Sequence, residues 1–266
     1  MRSILIISTL GFILGLGSCQ KIIDVDLNDA AQRIVIEANF SATDSIVNVK
    51  VSYTSSYFDT YIPSNVNNAI VTITDHLGTV TNIPTIGAGQ YELTSYIPAD
   101  GANYTINVTH DGTTYTGSSN LTPPLTLLPP RSEFFEQGFF GEPGGYLVFF
   151  RFQDPPGIGN YYNIIVQAND TLYNRPNEFI LGDDILTDGN LLERPIFFDY
   201  YDIGDTITFE IQSITERVFD YYVELQTIAE GQNSAAPANP AYFWTNNALG
   251  YFSAYYSSKS GIRIVE

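Results

Sequence analysis

The sequence predicts a mainly β protein. Three observations carry this. Tyr and Phe are abundant, 19 and 17 residues, and the aromatic share reaches 14%. Helix formers such as Lys, Glu, Met and Ala are scarce, whereas aromatic and β-branched residues favour strands. Short segments alternate apolar and polar residues with period two, as strands with one buried and one wet face do.

The elements follow in order. Arg33 to Phe40 alternates Ile34, Ile36 and Ala38 against polar neighbours, and Val47 to Tyr53 repeats the pattern. Ala69 to Thr74, Gln90 to Leu93, Asn103 to Val108 and Thr113 to Gly117 continue it. Asp75-His76-Leu77-Gly78 and His110-Asp111-Gly112 sit between strands. The Asp-Gly pair suits the left-handed angles of a tight hairpin. Short strands at this spacing predict an immunoglobulin-like sandwich over residues 33–122. It carries no cysteine pair, so the expectation concerns architecture only.

Leu121 to Pro130 contains Pro123-Pro124 and Pro129-Pro130. Paired prolines stiffen the chain and leave sheet interiors, which predicts a domain boundary. A second mainly β domain is expected over 123–266. Tyr146 to Phe152 and Tyr161 to Val166 are continuous apolar runs, as in strands covered on both faces. Thr206 to Ile214 alternates. Thr215 to Ala229 places Val218, Tyr222, Leu225 and Ala229 at helical spacing, predicting one helix near 215–230 with Thr215 as its cap. Gly231 to Pro240 reads as a loop. Gly250 to Tyr256 and Ile262 to Val265 read as two closing strands.

The N-terminus predicts an address. Arg2 precedes an apolar run from Ile4 to Leu16, and Leu16-Gly17-Ser18-Cys19 follows. This is a secretory-signal layout, too short for a spanning helix. Its ending resembles the lipobox of bacterial lipoproteins, which implies cleavage after residue 18, diacylation of Cys19 and a tether over 19–32. Cys19 is the sole cysteine, so no intramolecular disulfide is available.

Composition excludes some functions. The net charge is −18 with only 11 Lys and Arg. Nucleic-acid binding needs clustered cations to displace counterions, and none cluster here. The two histidines, His76 and His110, fall in predicted turns, poor platforms for a catalytic base. No catalytic residues, metal site or cofactor are assigned. Asp183, Asp184, Asp188 and Glu193 gather oxygen ligands of the type calcium takes. Leu186 occupies a ligand position of the EF-hand pattern, so a solvated acidic loop is the preferred reading. Trp244 follows a Pro-rich loop with Tyr242 and Asn246 beside it; the aromatic clusters of this region either fill the core of the second domain or, where exposed, stack on sugars or anchor a partner.

The ordered set of Cys19-Gln20-Lys21-Ile22-Ile23-Asp24-Val25-Asp26-Leu27, Ile34-Val35-Ile36-Glu37, Tyr57-Phe58, Ala69 to Asp75, Gly89-Gln90-Tyr91, Gly204-Asp205-Thr206-Ile207, Tyr221-Tyr222 and Asn246 to Tyr255 resembles a Bacteroidota lipoprotein family, domain of unknown function 4249. The resemblance implies an outer-membrane lipoprotein, lipid-anchored, encoded beside TonB-dependent receptors. It supplies no catalytic residues. The expected role is a non-enzymatic accessory of a TonB-dependent uptake system. The alternatives are a glycan- or peptide-binding lipoprotein and a hydrolase with a carboxylate pair. Gln20 to Asp24 lacks the dense acidic run of a surface-export signal, so the periplasmic and cell-surface faces both stay open.

Overall fold

The computed structural model describes residues 32–55, 64–138, 143–196, 198–230 and 240–266. The signal segment, Cys19, Tyr57-Phe58 and most of the 231–240 loop lie outside them. Residues 32–266 form one unit.

The N-terminal strands bury the residues that their alternation selects. In β1 (Ile34–Ser41) Ile36, Ala38 and Phe40 are fully buried, and in β2 (Ile46–Tyr53) Val47, Val49 and Val51 are. They pair antiparallel, and β2 also pairs with β6 (Gln90–Thr94), which pairs with β5 (Thr85–Gly87). A second sheet orders β4 (Val80–Asn82), β3 (Ile70–Thr74), β7 (Asn103–His110) and β8 (Thr113–Asn120). Val71, Ile73, Tyr104, Ile106 and Val108 close the core against the first sheet. Phe40 meets Tyr104 edge-on at 4.9 Å, a pairing worth about 1 kcal/mol beyond its buried area.

Both predicted hairpins form. Asp75 Oδ1 accepts from the Leu77 and Thr79 N–H groups at 2.9 and 2.8 Å. Asp111 and Gly112 hold φ of 48° and 76°, the double left-handed step of a tight turn.

A second pair of sheets follows. β10 (Pro143–Gln153) lies between β9 (Thr126–Gln137) and β14 (Leu191–Pro195). Facing them, β11 (Tyr161–Ala168) pairs with β12 (Thr171–Tyr173), β13 (Ile180–Asp183) and β15 (Thr206–Ile214). Val148, Phe150 and Phe152 meet Ile164, Val166, Phe209 and Ile211 between the layers. The helix α1 (Glu216–Ala229) forms as predicted, with the Thr215 hydroxyl accepting from the Val218 N–H. It packs Phe219 on Tyr161 and Tyr222 on Tyr251, with ring centres 5.1 and 5.2 Å apart.

The structure corrects one expectation. The closing strands are one, β16 (Leu249–Arg263). Its first half runs parallel to β1 from Leu249 to Tyr255, and its second half pairs antiparallel with β15 from Tyr256 to Arg263. A nine-stranded sheet therefore passes through both halves of the chain. Strands from both sides of Leu121–Pro130 belong to that sheet. Pro129 and Pro130 lie within β9 at its irregularity opposite Phe149–Arg151, on an edge strand where a missing N–H is tolerated.

Candidate functional site

The predicted aromatic site is not a surface platform. Trp244 is 3% exposed. Its indole Nε1 donates to the Ile36 carbonyl at 3.0 Å, and its ring covers Gly117 so closely that a Cβ there would lie 2.7 Å from Cε3. Asn246 stays exposed but is tied to β8, donating through Nδ2 to the Thr114 carbonyl at 2.8 Å. Tyr242 is half exposed, with the Arg33 guanidinium 5.0 Å above its ring. The segment clasps β8 and β1, and Trp244 cannot stack on a sugar.

His76 is exposed in the β3–β4 turn. His110 closes β7 and is largely buried. Its Nε2 lies 2.9 Å from the Tyr53 hydroxyl and 3.3 Å from the Asp111 carboxylate. Both neighbours share one nitrogen, while a catalytic relay uses both. Burial, with Asp111 beside it, raises the Tyr53 phenol, the opposite of an activated nucleophile.

The acidic residues divide. Glu193 faces outward from β14, bound by the guanidiniums of Arg131 and Arg151. Asp184 and Asp188 join Asp154, which the sequence reading left out, with their carboxylate oxygens within 4.8 Å of one another. Two loops cross between the sheets here, 154–160 from β10 to β11 and 184–190 from β13 to β14. The aspartates lace them. Asp154 accepts from the Tyr162 hydroxyl and from the Gly189 N–H at 2.7 Å. Asp184 accepts from the Gly159 N–H and the Asn160 amide, both at 2.9 Å, and Asp188 from the Gly157 N–H at 2.6 Å. Asp154 and Asp184 are 1% and 0% exposed, so these two are buried within the clamp, while Asp188, Glu193 and most of the 185–190 loop are exposed as expected.

Burial and the charges of Asp184 and Asp188 raise the Asp154 carboxyl against the pull of the Gly189 N–H. Burial acts the same way on Asp184, but the hydrogen bonds from Gly159 and Asn160 outweigh it and hold that carboxyl below the ordinary range. A depressed carboxyl stabilises the fold above its unfolded pKa and loses that contribution as pH falls through the folded value. Asp184→Asn should therefore be less stable at neutral pH, by about 2 kcal/mol, because a charge-assisted bond is lost. It should also lose less stability on acidification below about pH 4. Urea unfolding followed between neutral and acidic pH checks both.

Beside the clamp lies a cavity of about 450 Å³ at the open edge between the second pair of sheets. Its floor is Phe150, Phe152, Tyr162 and Ile164, all buried. Its rim includes Gly182, Leu186, Thr187 and Arg194 from β13, β14 and the loop between them. Gly182 is the β13 residue opposite Tyr162, and its missing side chain leaves the space open. The clamp sets the floor through the Tyr162 hydroxyl.

The sequence profile of a domain of unknown function (DUF4249) matches residues 20–260. The chain belongs to this family. A search of curated proteins finds no match. In this DUF4249 chain the matched span holds the cavity, the aspartate clamp and the Trp244 clasp.

Two features of the DUF4249 fold escaped the sequence reading. Asp154 is far in sequence from Asp184, although Asp154-Pro155-Pro156-Gly157 ending an apolar run marks a loop carrying an acid. Arg194 sits opposite Phe150 in the β10–β14 register, and partners opposite one another share a face. It is thus a cation on the core side of an edge strand, and nothing in the local sequence marks it.

Proposed function

We propose that this DUF4249 protein is a non-enzymatic binding lipoprotein of the outer membrane, anchored through acylated Cys19 and serving a TonB-dependent uptake system. The apolar cavity of about 450 Å³ carries the binding half of this reading, since it falls within the roughly 300–1,000 Å³ of small-molecule sites and converges on few polar groups. The Leu16-Gly17-Ser18-Cys19 ending supports the anchor. Acyl chains contribute about 0.8 kcal/mol per buried methylene, so two chains hold a protein stably. The strand orders β1-β2-β6-β5 and β4-β3-β7-β8 support an immunoglobulin-like reading of residues 33–122, being the A-B-E-D and C′-C-F-G arrangement. The remainder is then the second mainly β domain, joined to the first through β16.

Cys19→Ala should move the protein from the membrane fraction to the soluble fraction of a native host. Mild-detergent purification of the wild type should recover a TonB-dependent transporter at near-stoichiometric yield. Membrane retention by Cys19→Ala would overturn the anchor, and purification without any transporter would overturn the uptake role.

A further inference from the structure

We infer that the cavity between β13 and β14 binds a monocarboxylate with an apolar aryl or short alkyl body. The inference rests on the binding reading above and names the ligand class. The body is fixed by the lining. Ile180, Leu186 and Pro195 present partly or fully exposed aliphatic surface around the packed floor of Phe150, Phe152, Tyr162 and Ile164. Phe152 and Tyr162 meet edge-on with ring centres 5.0 Å apart and close that floor.

The head group is fixed by the rim. Arg194 continues the inward row that Leu192 and Phe150 define, yet it is exposed at the mouth. Among the described residues no hydrogen bond or ion pair engages its guanidinium. Arg131 and Arg151, by contrast, turn to the outer face and are taken up by Glu193. In a chain of net charge −18, a free cation at the lip of an apolar cavity selects an anion locally. The planar fork matches a carboxylate. Asp183 also borders the mouth. It lies opposite Tyr161, not Tyr162, so its side chain belongs to the other face of β13, where it accepts from the Ile185 N–H at 3.1 Å. An inward charge also blunts a sheet edge against pairing. That role alone would need neither the cavity nor the glycine facing it.

Gly182 allows a direct test. A Cβ there meets only Tyr162 Cδ2 at 3.7 Å, an ordinary contact, so Gly182→Leu should fill the cavity without unfolding the chain. The purified full chain is titrated calorimetrically with 4-phenylbutyrate, 4-phenylbutan-1-ol and 4-phenylbutylamine. The acid should bind saturably and about tenfold more tightly than the alcohol. Arg194→Gln, at an exposed position, should bring acid and alcohol to equal affinity. Gly182→Leu should abolish binding of both at an unchanged or raised Tm. No saturable binding, or binding that survives Gly182→Leu, would remove the site. Equal affinity for acid and alcohol in the wild type, or preference for the amine, would overturn the anionic head group. Transporter recovery is measured separately, so either reading can fail without the other.

Discussion

Gly250→Ala is expected to yield no folded protein. Gly250 holds φ of +99°, and a Cβ built there would lie 2.0 Å from the Ile36 carbonyl oxygen and 2.7 Å from its carbon. No side-chain rotation relieves a clash of Cβ with backbone. Either β16 retreats from β1 or the Gly250 backbone changes region. Both break the parallel ladder at the pairing of Ile36 with Gly250. A non-glycine residue in such a conformation costs about 1–3 kcal/mol before any clash. The lost ladder and the exposed Phe252 and Ala254, both fully buried now, add more. The total exceeds the margin of a domain stable by about 5–15 kcal/mol once neighbouring pairs loosen. Circular dichroism and soluble yield read the outcome. A Gly250→Ala protein with wild-type Tm would refute the close approach.

Trp244→Ala should destabilise by about 3–5 kcal/mol and lower Tm by roughly 6–20 °C. Two effects add. The indole leaves a large void over Gly117 and beside Phe243, whose ring centre lies 6.4 Å away. The Ile36 carbonyl also loses its Nε1 donor. Trp244→Phe should recover most of the packing and leave the missing hydrogen bond, a residual of about 1–2 kcal/mol. Thermal unfolding of both variants measures the split. A surface tryptophan would give changes within about 0.5 kcal/mol for either, which would contradict the burial.

These positions show what local sequence carries. In β1 and β2 the core face alternates with a half-buried or exposed face over most of each strand, so Ile36 and Val49 announce their burial. Thr215 and the Val218–Tyr222 spacing announce α1 in the same way. Trp244 fails this test. Its neighbours Asn246 and Asn247 and the preceding Pro-rich stretch are those of an exposed loop, while its partner Ile36 lies 208 residues away. The β16 strand was divided because Ser257 to Gly261 is polar. Those residues pair with β15 from Thr208 to Gln212, and Ser258 donates to the Leu125 carbonyl at 2.9 Å, so hydrogen bonding replaces an apolar pattern. Pro129-Pro130 carries the local signature of a linker, but an edge strand such as β9 forgives a missing donor. The cavity was illegible because it depends on Gly182 and Arg194 facing one another across two sheets.

The parallel seam of β1 and β16 also orders the assembly of the chain in time. On emergence, β1 can pair with β2 at once, but its other border stays bare until a segment over two hundred residues downstream has been made. Throughout that interval the N-terminal half presents unpaired amides and carbonyls, a template for recruiting stray strands. Closure at such sequence distance is intrinsically slow. The final strand thus works as a fastener, and clipping it off should leave both halves prone to clump rather than two smaller stable bodies.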